Sequence, residues 1–180
     1  GTGRNPYKNF VYTSFQELAT NISHRRVASL VKKTGNTLLA KINGIIAADE
    51  ARHASAYSDF VKRIFELDPS QMMTSFEDMM RRKIVMPAHF MRQSGDKVGE
   101  LWSHFSDAAQ RTKVYTAQDY INILSSLIKD WDIDKITDLK EAGEKARDYI
   151  MALPNRLQNI TNRMQEPEKE FEFKWIGPTI

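Results

Sequence analysis

The chain has 180 residues, of which 41% are hydrophobic and 27% charged, and its formal net charge is +3. This length suits one domain, 1–180, and so small a charge does not indicate a nucleic-acid-binding protein. The absence of cysteine excludes disulfides and thiolate metal sites, and no apolar run approaches the roughly 18 residues that a membrane span needs. We therefore expect a protein that binds neither membranes nor nucleic acid. Since the sequence shows no transit peptide, we also expect it to reside in the cytoplasm.

The first part of the chain predicts two long helices. Apolar residues recur at helical spacing over 14–33, where Ser14 is the expected N-cap and Glu17, three residues later, its capping-box partner. Gly35 stands where the helix should stop. The second helix is predicted over 37–67, before Pro69, and would be roughly 46 Å long at about 1.5 Å per residue. Helices of this length are typical of an extended antiparallel bundle.

The rest of the chain also predicts helices, apart from its tail. Thr116 is the expected N-cap of one of them, and Pro154 is expected to interrupt the last. The tail "EFEFKWI" alternates apolar and charged residues, which predicts a short strand or hairpin. The predicted fold class is therefore all-α, a helical bundle with a short C-terminal strand or hairpin. The predicted helices are 71–84, 97–111, 117–131, 139–153 and 156–165.

Glu50 and His53 are the candidate metal ligands of the second helix. A spacing of three puts them on one helix face, next to the small and apolar residues of "IIAADEARHASAY". Polar groups in such surroundings need partners, and a metal ion satisfies both a carboxylate and a neutral imidazole. Such a pair is also common on solvent-exposed helix surfaces without any metal, so this alternative stays open.

Glu17 is expected at the same height in the bundle. If the helices turn near Gly35, Glu17 lies about 18 residues before the turn, and Glu50 and His53 lie about 14 and 17 after it, so equal rises bring all three level. The ferritin-like di-iron bundle takes one Glu from each of two helices and a Glu-x-x-His from each of two others. This chain supplies half of that set, since Glu100 and His104 are four residues apart and no second Glu-x-x-His occurs.

Five separated blocks resemble one family in their order along the chain. They are "FVYTSFQELATNISH", "AADEARHASAY", "DMMRRKIVMPAHFM", "HFSDAAQRTKVYTAQDY" and "FKWI". Together they are similar to the soluble acyl-acyl-carrier-protein desaturases, the stearoyl-desaturase family. The resemblance covers almost the whole chain but only the C-terminal half to two-thirds of the family's usual length.

The resemblance implies a function and a set of site residues. It implies a di-iron cofactor with Glu17, Glu50 and His53 as ligands, Thr20 near the oxygen-binding face, and Asp49 as an acid that orients a histidine from the other half of the site. The implied reaction is the oxygen-dependent desaturation of an acyl chain carried on acyl carrier protein, in fatty acid biosynthesis. Ferredoxin would supply electrons to a homodimeric enzyme, in a plastid if the source is a plant.

Each of these assignments has a simpler alternative. Thr20 could merely bond back to its own helix, and Asp49 could belong to a solvated face with Arg52. The basic cluster Arg81, Arg82 and Lys83 could dock the acidic carrier protein or be an ordinary charged surface, as could the stripe Arg25, Arg26, Lys32 and Lys33. The methionines of the third helix are better interpreted as core residues than as an acyl channel.

Two further hypotheses concern the chain as a whole. It could be a helical binding or structural module without a complete metal site. Alternatively, two copies could pair and complete a symmetric site between them.

Overall fold

The computed structural model describes residues 2–85, 97 and 99–164. All regular secondary structure of the described residues is helical, which confirms the all-α fold class. Among them, no helix combines the length and the apolar character that crossing a membrane requires. The tail for which we predicted a strand or hairpin lies outside the described residues. The helices are α1 (Pro6–Lys33), α2 (Thr37–Leu67), α3 (Pro69–Arg81), α4 (Glu100–Arg111), α5 (Ala117–Asp130) and α6 (Glu141–Thr161), with a 3-10 turn at Ile133–Lys135.

Helix α1 begins earlier than predicted, because Asn5 and not Ser14 caps it. The Asn5 side chain accepts a hydrogen bond from the backbone N–H of Lys8 at 3.1 Å, and Pro6 follows in the first turn, which it suits. Ser14 is buried inside α1, where its hydroxyl donates to the Phe10 carbonyl at 2.8 Å. The predicted capping box is therefore wrong, and Glu17 is a mid-helix residue without a capping role.

Helix α2 has the bounds that its sequence predicts. Asn36 caps its first turn by accepting from the Leu39 N–H at 3.1 Å, and Asp68 ends it just before Pro69 opens α3. Gly35 has a φ of 83°, the left-handed conformation that glycine adopts most easily, and this closes α1. The tight turn lays α1 and α2 antiparallel, and they form the most extensive helix pair of the described residues.

Helix α6 continues through Pro154, which corrects the predicted interruption. Proline removes one backbone hydrogen bond and usually ends a helix. Here the buried face continues on both sides of it, since Ile150 and Leu153 are buried and Leu157 packs against the same core. The packing of this face offsets the lost bond. The remaining predicted bounds lie within about four residues of the observed ones, a little more than is usual at helix ends.

The core lies where α3, α5 and α6 meet under the α1–α2 pair. Phe76 of α3 and Ile150 of α6 are fully buried, and the Phe76 ring meets the Trp131 ring edge-on with centroids 5.1 Å apart. The Trp131 indole N–H donates to the Ser58 hydroxyl of α2 at 2.9 Å, which ties this core to the long pair. The methionines of α3 belong to the core, as their interpretation as packing residues expects: Met72, Met73, Met79 and Met80.

Candidate metal centre

Glu17, Glu50 and His53 lie together between α1 and α2. The Nδ1 atom of His53 is 3.4 Å from Oε2 of Glu17 and 3.4 Å from Oε2 of Glu50. One potential ligand atom from each of the three residues lies within 4.8 Å of the other two. The structure thus brings together the three side chains whose heights the helix rise matches, each near the middle of its helix.

The two carboxylates of this cluster are largely shielded from solvent. The Glu17 and Glu50 side chains are 14% and 19% exposed, whereas the His53 side chain is 56% exposed. Burial, together with hydrogen bonding to Glu50 and repulsion by its charge, raises the pKa of Glu17 to about 7, although His53 acts in the opposite direction. The protein therefore holds two acids closer together than their charges favour, and a cation would relieve this repulsion.

The donor set fits iron. Two carboxylates and an imidazole are the ligand types of non-haem iron sites, where oxygen and nitrogen donors leave positions open on the metal. The raised pKa of Glu17, caused first by burial and then by Glu50, fits a carboxylate whose charged form a cation would stabilise. His53 is the most exposed of the three side chains, so the cluster is accessible to solvent at the imidazole.

No contact that the structure describes joins the Thr20 or Asp49 side chain to the carboxylates or the imidazole of this cluster. The Thr20 hydroxyl donates to the carbonyls of Gln16 and Glu17, at 3.0 and 3.1 Å, within its own helix. Asp49 pairs with Arg52, and both side chains are well exposed, at 46% and 70%. Their proposed roles near the oxygen-binding face and beside the metal ligands therefore stay predictions.

The basic cluster at the end of α3 is largely engaged within the chain. Arg81 donates twice to Glu77, at 2.9 and 2.7 Å, and lies over the Tyr149 ring at 3.8 Å from its centroid. Arg82 lies 2.8 Å from a carboxylate oxygen of Asp78. Lys83 follows with a φ of 58°. Docking of a partner by Arg81, Arg82 and Lys83 stays a prediction, and two of the three would have to exchange existing ion pairs for it.

The second basic stripe splits into a structural residue and exposed ones. The Arg26 guanidinium makes a bidentate pair with the Asp119 carboxylate, at 2.5 and 2.7 Å, and joins α1 to the start of α5. Thr116 completes a capping box with the same Asp119, as its predicted N-cap role expects. The other three cations of the stripe are exposed on α1: Arg25, Lys32 and Lys33.

The contacts that three polar residues make between α1 and α2 were not predicted from the sequence. These residues are Asn21, His24 and Asn43. Asn21 donates to the Ala47 carbonyl at 2.6 Å, and His24 Nδ1 lies 2.8 Å from Oδ1 of Asn43. His24 is therefore a structural hydrogen-bonding residue between the two helices. The available signal was spacing, because Asn21 and His24 follow Glu17 at intervals of a helix face, four and seven residues on.

The chain is similar to known proteins over nearly all of its length. Residues 1–177 match the family model described as "Fatty acid desaturase". The chain is 48% identical over 179 residues to stearoyl-[acyl-carrier-protein] 9-desaturase 1, chloroplastic, of Arabidopsis thaliana. It is 47% identical over 178 residues to the stearoyl-[acyl-carrier-protein] 9-desaturase of Spinacia oleracea, and 44% identical over 179 residues to palmitoyl-[acyl-carrier-protein] 4-desaturase 3 of Ophrys sphegodes.

These alignments cover nearly all of this chain but only part of each relative. They span 97% of the chain in every case, and 45%, 44% and 44% of the three relatives in the same order. The chain thus spans somewhat less than half the length of the curated relatives that it matches. Both the family model and relatives well above 40% identity cover almost every residue, and the chain belongs to the fatty acid desaturase family.

Proposed function

We propose that this chain is part of an acyl-[acyl-carrier-protein] desaturase and supplies half of its di-iron site through Glu17, Glu50 and His53. The observation that carries the proposal is the convergence of three ligand atoms within 4.8 Å, at mid-height of the α1–α2 pair, in a chain of this family. The relatives' names specify acyl chains carried on acyl carrier protein, and we extend that substrate class to this chain.

The proposed reaction oxidises two adjacent methylene groups of the acyl chain to a carbon–carbon double bond. Two hydrogens leave the chain, and O₂ becomes two waters with two further electrons from a donor and two protons. Bound iron would supply the oxygen activation, which amino-acid side chains alone do not provide. The part of this chain is to present two shielded carboxylates and an imidazole in fixed positions, with the open side of the cluster towards the substrate.

The other half of the ligand set must lie against the open face of α2. In the di-iron bundle template the second Glu and second Glu-x-x-His come from two further helices. Helix α2 carries a row of exposed apolar residues that, by helical spacing, fall on the face that bears His53. An apolar helix face of this kind is normally buried against another helix. We propose that helices bearing the remaining ligands cover this row. It consists of Leu38, Ile42, Ile45 and Phe60, which are 69%, 43%, 55% and 51% exposed.

The proposed partners follow from the family. Acyl carrier protein would deliver the substrate, with the cations Arg81, Arg82 and Lys83 as its proposed docking site. Ferredoxin is the proposed electron donor and a homodimer the proposed assembly. The relatives are named as chloroplastic, so a plastid is the proposed location for a plant source and the cytoplasm for a bacterial one.

Iron content and desaturation test the proposal together. We expect the whole protein that contains this chain, reconstituted anaerobically with ferrous iron, to retain the metal after desalting and to convert stearoyl-acyl carrier protein in the presence of reduced ferredoxin and O₂. Glu50→Ala should lose the iron and the activity. Asp59→Ala is the matched control, because Asp59 is an exposed carboxylate of the same helix, 70% exposed, and should change neither.

Two results would contradict the proposal. If the protein retains no iron and leaves the acyl chain saturated, the alternative of a helical binding module without a complete metal site is favoured. If Asp59→Ala loses as much iron as Glu50→Ala, retention reflects general surface binding. Iron counted per chain, beside the mass of the native assembly, also tests whether paired copies complete a symmetric site.

A further inference from the structure

A polar seam runs between α1 and α2 from the metal cluster towards the hairpin turn. Its contacts are the Asn21 amide donating to the Ala47 carbonyl at 2.6 Å, and His24 Nδ1 against Oδ1 of Asn43 at 2.8 Å. Asn21 lies one turn from Glu17, and Ala47 lies three residues before Glu50. The seam therefore begins directly beside the cluster.

Asn43 is the most constrained member of the seam. Only 7% of it is exposed, and its amide nitrogen donates to the Leu39 carbonyl at 3.0 Å. Since the amide nitrogen is occupied, the amide oxygen is the atom that faces His24, and His24 Nδ1 must donate its proton to it. The Leu39 contact lies within α2 and does not depend on the position of α1, whereas the His24 contact crosses to α1 and is lost in another arrangement of the two helices.

Close to the cluster, the buried apolar contacts of the pair are made by alanines and discriminate positions poorly. Ala19 of α1 and Ala47 and Ala54 of α2 are all buried, and their small, similar side chains fit several alignments of the helices about equally. Farther along the pair, the Phe10 ring of α1 lies 6.1 and 5.7 Å from the Tyr57 and Phe60 rings of α2, which also constrains the register. The hairpin turn lies about 21 Å from Glu50 along α2, so it does not hold the cluster in place by itself. Buried polar pairs are the groups that specify register in such a case.

We infer that Asn21, His24 and Asn43 are positioning residues, which set the axial and rotational register of α1 on α2 so that Glu17 meets Glu50 and His53. The inference deepens the proposed function and rests on it, because the level that these residues set is that of the proposed metal centre. A slip of one helical turn displaces Glu17 by about 5 Å along the axis. The 3.4 Å separation between Glu17 and His53 does not survive such a displacement.

The register is measurable without any metal. The chain has no cysteine, so spin labels can be attached to single cysteines placed at Arg25 and Ala48, which are exposed on α1 and α2. We expect Asn21→Ala combined with Asn43→Leu to shift or broaden the distance between the labels, by up to about 5 Å for a slip of one turn. An unchanged, narrow distance would overturn the inference.

Ser58→Ala is the matched control for the label experiment. Ser58 also makes a polar contact between elements of the fold, with Trp131, but not one between α1 and α2. It should lower stability while leaving the label distance as it is. If the double variant does not fold, the single variants Asn21→Ala and Asn43→Ala are measured in its place, and two unchanged distances again overturn the inference.

A Co²⁺ titration, monitored by the visible absorption of the bound ion, tests whether the helix register affects metal affinity. We expect the double variant to bind Co²⁺ at least about tenfold more weakly than the wild type, the size of effect typical of residues that support metal ligands. Asn43→Asp keeps an acceptor for His24 and should retain most of the affinity. Equal affinity in all variants would overturn the inference.

The two measurements separate failure of the inference from failure of the proposed function. If the wild type binds no Co²⁺ while the double variant still shifts the label distance, the residues set the register and the metal centre is wrong. If the wild type binds Co²⁺ and the label distance never changes, the metal centre stands and the positioning role is wrong.

Discussion

The α1–α2 pair and the layer of α3, α5 and α6 are built from opposite kinds of contact. In the layer, Phe76, Leu124 and Ile150 have no exposed surface, and their neighbours are apolar or aromatic. Between α1 and α2, small alanines alternate with polar groups, two carboxylates approach one another, and His53 remains half exposed. The layer buries apolar surface to hold the fold, and α1 and α2 add Phe15 and Phe65 to the same core, but around the cluster the pair holds groups that the fold alone does not require.

The difference teaches where stability and function lie in this molecule. Functional sites commonly break the packing rules that the rest of a protein obeys, at a cost in stability. The layer should therefore respond to truncation with large losses of stability. The pair should respond to loss of its charges with small changes, or even with a gain. Five predictions test this division, in decreasing order of expected effect.

Truncation in the layer should have the largest effect. Phe76→Ala removes a fully buried ring that packs on Trp131, and we expect it to lower the free energy of unfolding by about 3–5 kcal/mol. Urea denaturation followed by circular dichroism measures this. A loss below about 1 kcal/mol would mean that the layer is not the main source of stability.

The ion pair that joins the two regions should come second. Asp119→Ala leaves Arg26 without its bidentate partner and removes the α5 capping box, and we expect a loss of about 2 kcal/mol. Asp132→Asn is the matched control, since the pair of Asp132 with Lys135 is exposed and should contribute little, and asparagine tolerates the positive φ of this position. Equal losses in both variants would contradict the structural role of Asp119.

The contribution of Asp119 should also depend on pH. Burial by itself would raise the pKa of Asp119, but hydrogen bonds from Arg26 and Thr116 outweigh it and lower the pKa from its ordinary value. The stabilisation is therefore complete above the unfolded-state pKa of about 4 and declines as pH falls through the lower folded-state value. The stability difference between wild type and Asp119→Ala, measured by urea denaturation from pH 7 to pH 2.5, should shrink only below about pH 4.

Removing a carboxylate of the cluster should have a smaller effect of opposite sign. The raised pKa of Glu17 means that its ionised form is unfavourable in the folded state. Without metal, Glu17→Gln should raise stability by about 1 kcal/mol at pH 8, and the gain should vanish as pH falls below about 4.5. Denaturation in the presence of a chelator at both pH values measures this.

The same variant should lose metal affinity while it gains stability. A Glu17→Gln protein that is less stable than wild type at pH 8 would show that the carboxylates are not held in mutual repulsion. A matched substitution, Glu66→Gln, changes an exposed carboxylate of α2 that pairs with Arg63, and should leave metal affinity unchanged.

The smallest effect is expected at Asp49. Its partner Arg52 is 70% exposed, and pairs of this kind contribute little, so Asp49→Asn should change stability by less than about 0.5 kcal/mol. Thermal denaturation is sensitive enough to detect a larger change. A loss above 1 kcal/mol, on the order of a typical internal hydrogen bond, would show that Asp49 has a structural partner beyond Arg52.

Several features could be predicted because they are local. The bounds of α2 follow from the Asn36 cap and from Pro69, and the Thr116 capping box follows from residues three apart. The convergence of Glu17 with Glu50 needed only a turn at Gly35 and equal helix rises. Ser14 shows the limit of local reasoning, since a serine before an apolar run resembles a cap and is instead buried within a helix.

By itself the sequence determined the helices, the types of ligand and their spacing, because periodicity, caps and the rise per residue act over short stretches of chain. Tertiary structure alone decided which polar groups meet across helices, such as Arg26 with Asp119 and His24 with Asn43. It also decided that Glu17 is shielded while His53 stays exposed. The physical reason is that burial and partner choice depend on residues distant in sequence, whose packing sets both the geometry of each contact and the cost of each charge.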